Sequence, residues 1–220
     1  MLVVEDARLE EKVKSREWKT WAPTNSVLRK MREEVRDRGR DILLSLLEEN
    51  PRASLLDLGC SIGDLTLEMA KKVGTSEVFG VDKTSYANSY ILVHEADLNE
   101  GIPFGDNQFD VVVASQLIVH LQRPKVLISE TYRVLKPGGY ALISTPNLAS
   151  WHNLVFLFFG LQPPGLSTNH DYIFLLTTKG LLSLLEKFKI EQVIGVGFYP
   201  LPYLLSKYIC KVEIGRASCR

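Results

Sequence analysis

Cysteine is scarce in this chain: Cys60, Cys210 and Cys219 are an odd set with no metal-ligand spacing. That argues against a disulfide framework or a structural zinc site and suits a reducing compartment. An excess of charge of one sign is missing too. The 26 basic and 26 acidic residues cancel, so no global field draws in nucleic acid or anionic lipid. Residues 29–41 look basic, but acids alternate with the bases as on a solvated helix face. Long hydrophobic runs are absent. The most apolar, LVFLFFGL at Leu154–Leu161, falls far short of the roughly 20 residues that span a bilayer. The N-terminus shows no charged-then-apolar signal layout, so the expectation is a cytoplasmic protein. There is no internal repeat and no low-complexity segment.

What is present is alternation. From about Asn25 to Glu49, Val27, Leu28, Met31, Val35, Ile42, Leu43, Leu46 and Leu47 recur at helical spacing, and Asn50-Pro51 ends the helix. Strands are expected at SLLDLG (54–59), EVFGVD (77–82), YILVHEAD (90–97), FDVVVASQ (109–116), YALISTP (140–146) and IEQVIGVGF (190–198). Helices are expected at 64–73, 124–135 and 178–188, with the second closed by KPGG. This order implies an α/β fold: a doubly wound, mostly parallel Rossmann-like sheet with helices on both faces. Ligands of such sheets sit beyond the carboxyl ends of the strands. The expected organisation is a helical segment at 1–50, one domain at 51–212 with a cap inserted at about 147–177, and a tail at 213–220.

The segment Gly59-Cys60-Ser61-Ile62-Gly63 admits two readings. As G-x-S-x-G it is a serine-hydrolase elbow. That elbow wants several strands and an oxyanion loop upstream, whereas here only one helix precedes the first strand. As a glycine loop it opens a helix beside a bound ligand. A dinucleotide fingerprint fails, because Ser61 and Asp64 stand where glycines are needed. Three acids, Asp57, Asp82 and Asp97, close the first three expected strands; a helix cap or solvated turn is the plain alternative for each.

Four stretches in order, LLDLGCSIGDLT, VFGVD, EADLNEGIPFGDNQFDVVVASQ and RVLKPGGYALISTPN, resemble the class I S-adenosylmethionine-dependent methyltransferases. The likeness is to the small-molecule branch that includes ubiquinone-biosynthesis and type 11 enzymes. It implies S-adenosyl-L-methionine as cofactor and no metal. Gly59 and Gly63 would let backbone approach the methionine part, and the helix start would favour its carboxylate. Asp57 would lie near the cationic end, Asp82 would accept from both ribose hydroxyls, and Asp97 would accept from the adenine amino group with Leu98 against the ring. Cys60, Ser61, Ser115 and Gln116 fall in the same motifs, Lys83 directly follows the second, and all five are carried over as cofactor-site positions. His120 is retained where the family often has an acid and a histidine, with Val119 in the acid's place. It is the candidate base, a structural hydrogen bond being the alternative.

The chain departs from the pattern in three places. Between Asp82 and Asp97 there is room for one helical turn at most. The cap holds Trp151, Phe156, Phe158, Phe159, His170 and Tyr172, suited to walling an apolar acceptor such as a quinone or lipid, and to transient contact with a membrane surface. The tail Glu213–Arg220 is poor in apolar residues and resembles the conceptual translation of a sequencing-adapter oligonucleotide. It is expected to be foreign, leaving the seventh strand missing. The expected function is methyl transfer to a small or lipid-like acceptor at O, N or C, without nucleic acid. A non-catalytic S-adenosylmethionine-binding scaffold is the alternative.

Overall fold

A computed structural model describes residues 37–85, 89, 91–163, 172–196 and 212–218. Most of the expected N-terminal helical segment, residues 1–36, lies outside the described residues, as does His170. The described part of the first helix is α1 (37–45). There follow β1 (Leu55–Leu58), α2 (Asp64–Val73), β2 (Val78–Asp82), β3 (Val93–Glu95) and β4 (Phe109–Ser115). A 3₁₀ turn at Ile118–His120 leads to α3 (Pro124–Val134), β5 (Leu135–Thr145), α4 (Trp151–Phe158), α5 (Thr178–Leu184), β6 (Lys189–Val196) and β7 (Val212–Ser218).

The sheet order is β3-β2-β1-β4-β5-β7-β6, parallel from β3 to β5. Side chains on a strand alternate between faces, and the two cores follow that period of two. Leu55, Val111, Val113 and Leu142 pack with Leu43, Leu47, Met69 and Val73 on the α1–α2 side. Leu56, Leu58, Val112, Ala114 and Ile143 pack with Leu127, Val134, Leu181 and Leu185 on the other. Burial on both faces is what makes these strands near-continuously apolar. Arg40 ties α1 to α2 through Asp64 (2.9 Å) and Glu68 (2.8 Å).

Two expectations need correction. KPGG does not close a helix ahead of a separate strand, because β5 starts at Leu135 and runs through it. Leu135 pairs with Phe109 and then Tyr140 with Val111, so the residues between them form a bulge. Gly138 (φ 82) takes the left-handed conformation there. At Gly139 a Cβ would meet the Asp110 carbonyl oxygen at 2.9 Å.

The seventh strand, expected to be missing, is present. β7 pairs antiparallel with β5 from Tyr140↔Ser218 to Thr145↔Glu213, and with β6 from Lys189↔Ser218 to Val196↔Val212. The expectation rested on the apolar content of a strand covered on both faces. This end of the sheet is not so covered: Glu191, Gln192, Val193 and Gly195 of β6 are exposed. The ladder needs only backbone donors and acceptors, and 212–218 contains no proline.

Candidate functional site

The strand order reverses between β1 and β4, so the carboxyl ends of β1, β2 and β4 meet at one edge. The β1–α2 loop occupies it. Its backbone is left-handed at Gly59 (φ 74), Ser61 (φ 51) and Gly63 (φ 83). Gly63 is obligatory: a Cβ would sit 2.6 Å from Ile91 Cγ1, besides the strain of its φ. Ser61 carries that strain as a non-glycine residue.

What holds the loop is its backbone. The Gly59 and Cys60 N–H groups donate to the Val81 carbonyl at 2.8 and 3.2 Å. The Ser61 N–H donates to Asp82 Oδ2 at 2.8 Å. The strained serine thereby fixes the carboxylate at the end of β2. Gly63 forms the N-cap position of α2 without a side-chain cap, which leaves the helix start open toward the loop.

Among the described residues Asp57 is the deepest charge-bearing group, 3% exposed. It accepts a 2.6 Å hydrogen bond from Thr66 Oγ1. Burial pushes its carboxyl up to about 7, against the Thr66 bond and helped by the fields of Asp82 and Asp64. Cys60 is buried, and desolvation with the nearby Asp57 and Asp82 pushes its thiol up to about 12. A thiol held protonated is a packing group rather than a nucleophile. It lies over Gly80 of β2, where a Cβ would meet its sulfur at 2.7 Å and Ile91 Cδ1 at 2.5 Å.

Asp97 lies beyond β3. Its Oδ1 accepts from the Asn99 backbone and side-chain nitrogens, both at 2.9 Å, and its Oδ2 faces Lys83 Nζ at 3.3 Å. The Asn99 bonds, then Lys83, hold the carboxyl below its ordinary range. Leu98 is buried in the core cluster beneath. Among the described residues between β2 and β3 there is no helix, in keeping with the short spacing.

At the end of β4, Ser115 Oγ lies 3.2 Å from Ser144 Oγ on β5. Gln116 is left-handed (φ 56), and its Nε2 donates to Ser144 Oγ at 3.1 Å. Its backbone N–H also points at Ser144, to both the hydroxyl and the carbonyl. The 3₁₀ turn then presents His120, whose ring lies 5.4 Å from that of Tyr172. The segment returning from the cap crosses this turn: the Ile173 and Phe174 N–H groups donate to the Val119 carbonyl at 2.6 and 3.0 Å.

The structure therefore joins Asp57, Ser61 and Asp82 in one loop cluster, Lys83 with Asp97, and Ser115 with Gln116. Thr66, Gly80, Asn99 and Ser144 had not been singled out. Only Gly80 carried a sequence signal, a glycine inside a strand, which marks close approach. The aromatic wall is corrected in part. Phe158 and Phe159 are 84% and 69% exposed rather than turned inward. The reason is Asn153, whose side-chain N–H group anchors the opposite face of α4 to the Asn147 and Leu148 carbonyls. No group of three or more potential metal ligands occurs among the described residues.

A model of the methyltransferase domain matches residues 27–188. A demethylmenaquinone methyltransferase of Staphylococcus aureus is 35% identical over 124 residues, 50% of this chain and 51% of that protein. A 2-phytyl-1,4-naphtoquinone methyltransferase of Nostoc punctiforme is 34% identical over 119 residues, covering 45% and 51%. The chain spans about half or less of the length of the curated relatives it matches. Among solved structures, an S-adenosylmethionine-dependent methyltransferase of Mesorhizobium loti superposes with a TM-score of 0.59 at 20% identity, over 81% of this chain and 96% of that one. That likeness speaks to fold alone. Neither the backbone role of Ser61 nor these relatives supports the hydrolase or scaffold alternatives.

Proposed function

The chain belongs to the S-adenosylmethionine-dependent methyltransferase family, and on that premise we propose that it moves a methyl group from that cofactor to a small apolar acceptor. The observation that carries the reading is the Ser61 N–H bond to Asp82 Oδ2, which locks the glycine loop and the second acidic loop into one cradle.

The residues fit the group. Asp57, Asp64 and Asp82 surround the loop, and among the described residues Asp64 is the one answered by a cation, Arg40. An acidic site of this kind suits a cationic ligand. Asp82 uses one acceptor position on Oδ2 for Ser61 and one on Oδ1 for Thr84 at 3.3 Å. A carboxylate has about four such positions, so capacity remains for a diol. The open start of α2 favours a carboxylate.

S-adenosyl-L-methionine, when bound, supplies an electrophilic methyl group. The chain's own work is to hold and align: Asp57 faces positive charge, Asp82 fixes hydroxyls, and Asp97 accepts from an amino group. In-line displacement depends on such alignment more than on acid–base help. His120, exposed beside Tyr172, is the group we assign to the acceptor, orienting it or taking its proton. The two relatives named for quinone substrates support an apolar, ring-bearing acceptor.

Titration calorimetry with S-adenosylmethionine and S-adenosylhomocysteine tests the cofactor. Transfer of labelled methyl to demethylated naphthoquinones tests the acceptor. Absence of binding to either nucleoside at millimolar concentration overturns the reading. Binding with transfer only to non-quinone acceptors overturns the quinone assignment.

A further inference from the structure

At the carboxyl ends of β4 and β5 a buried serine serves as a hub. Ser144 is 2% exposed, and three groups of the described residues converge on its hydroxyl. They are the Gln116 backbone N–H at 3.0 Å, Gln116 Nε2 at 3.1 Å and Ser115 Oγ at 3.2 Å. The Gln116 N–H is shared with the Ser144 carbonyl, also at 3.0 Å. These bonds hold Gln116 in the left-handed region (φ 56), a strain of the kind a fold keeps at working positions.

Counting donors fixes the direction of the hydroxyls. A serine hydroxyl has one proton and two lone pairs. Both Gln116 nitrogens can only donate, so they take the two lone pairs of Ser144 Oγ. The Ser144 proton is left for Ser115 Oγ, since solvent does not reach a side chain this buried. Ser115 therefore accepts from Ser144, and its own proton turns away from the hub. Ser115 is half-buried at the end of β4, within reach of a ligand.

We propose that the Ser115 hydroxyl donates a hydrogen bond to an oxygen of the methyl acceptor, with Ser144 and Gln116 as the positioning residues that aim it. Two observations assign it to the acceptor rather than to the cofactor. The first is its place in the sheet. In the order β3-β2-β1-β4-β5, the acids given to the cofactor, Asp57, Asp82 and Asp97, belong to β1, β2 and the residues just beyond β3. Ser115 and Ser144 pair across the reversal, on β4 and β5. From this half the cap departs, and here its returning segment bonds to the Val119 carbonyl. The two halves still touch: a Cβ on Gly59 would meet Leu117 Cδ1 at 3.0 Å, so a group held on the glycine loop lies next to the end of β4.

The second observation is chemical. Ionised carboxylates accept and cannot donate to a ligand oxygen. Ser115, Ser144 and Gln116 are neutral, and the one proton they leave over suits a phenol, enol or carbonyl oxygen. This moves Ser115 out of the cofactor positions that its motif suggested. The inference rests on the proposed methyl transfer and deepens it: the apolar acceptor must present an oxygen with a free lone pair.

The test is equilibrium dialysis of the full chain, saturated with S-adenosylhomocysteine, against 1-naphthol and against naphthalene. The wild type is expected to bind the naphthol about threefold to tenfold more tightly, the value of one neutral hydrogen bond. Ser115→Ala should lose that preference and Ser115→Thr should keep it, with S-adenosylhomocysteine affinity unchanged in both. Gln116→Glu reverses the relay: the acid accepts from Ser144, Ser115 must donate inward, and the preference falls although both serines remain. Thermal melts verify the folding of each variant. A wild type that binds both compounds equally overturns the proposal, as does a Ser115→Ala or Gln116→Glu variant that keeps the preference. Weakened S-adenosylhomocysteine binding in Ser115→Ala assigns the hydroxyl to the cofactor and overturns it too. A wild type that binds no S-adenosylhomocysteine overturns the proposed function instead, and the same dialysis without that nucleoside still reads the hydroxyl.

Discussion

Replacing Asp57 with asparagine should stabilise the free protein above neutral pH while weakening cofactor binding. The carboxyl, 3.8 in its ordinary state, is raised to about 7 in the fold, chiefly by burial. A raised carboxyl favours its neutral form in the fold. The stability it contributes is fully present below the unfolded value and is lost as pH rises from about 4 through about 7. At about 1.36 kcal/mol per pKa unit, the displacement is worth about 4 kcal/mol above pH 7. The amide removes that cost and keeps an oxygen for the Thr66 hydroxyl. Its NH₂ then lacks a partner, at about 1–3 kcal/mol. The net gain is about 1–3 kcal/mol, or a melting point higher by roughly 2–10 °C for a chain of this size. Thermal melts of both proteins from about pH 4 to about pH 9 isolate this group from all others. The gap should open between about pH 4 and pH 7 and then stay flat. The same variant should bind S-adenosylmethionine about tenfold to a hundredfold more weakly, the value of one charge-assisted bond. Parallel pH profiles, or a variant less stable than the wild type at pH 8, would refute the reasoning.

Three further outcomes are expected. Asp82→Ala should weaken cofactor binding by about 2–4 kcal/mol in calorimetry, since it removes a charged acceptor and frees the Ser61 N–H. Gly63→Ala should lower stability by about 1–3 kcal/mol in urea unfolding, because the new Cβ meets Ile91 at 2.6 Å in a left-handed backbone. Ending the chain after residue 211 should lower the melting point and raise aggregation in light scattering, since it exposes the β5 and β6 edges that β7 joins.

The local chemistry of the chain was enough to mark out much of the candidate site. Apolar runs ended by Gly59 and by Asp82 marked β1 and β2, because a strand buried on both faces must be apolar until it emerges. Asp82 and the Gly59–Gly63 loop were legible for that reason, and Asp57 stood out as an acid inside a buried run. The short spacing between β2 and β3 left room for one helical turn at most. Other features depended on partners far along the chain. Ser61 looked like either a nucleophile or a stand-in for glycine, and its role became visible only when β2 brought Asp82, 21 residues away, to its N–H. The near-neutral poise of Asp57 comes from complete burial under Thr66, a tertiary fact that no single residue announces. KPGG has the composition of a turn, yet pairing with β4 turns it into a bulge within β5. The last strand is the sharpest case. Composition argued against it, but backbone pairing draws on groups that every residue except proline carries, so position between β5 and β6 outweighed side-chain character.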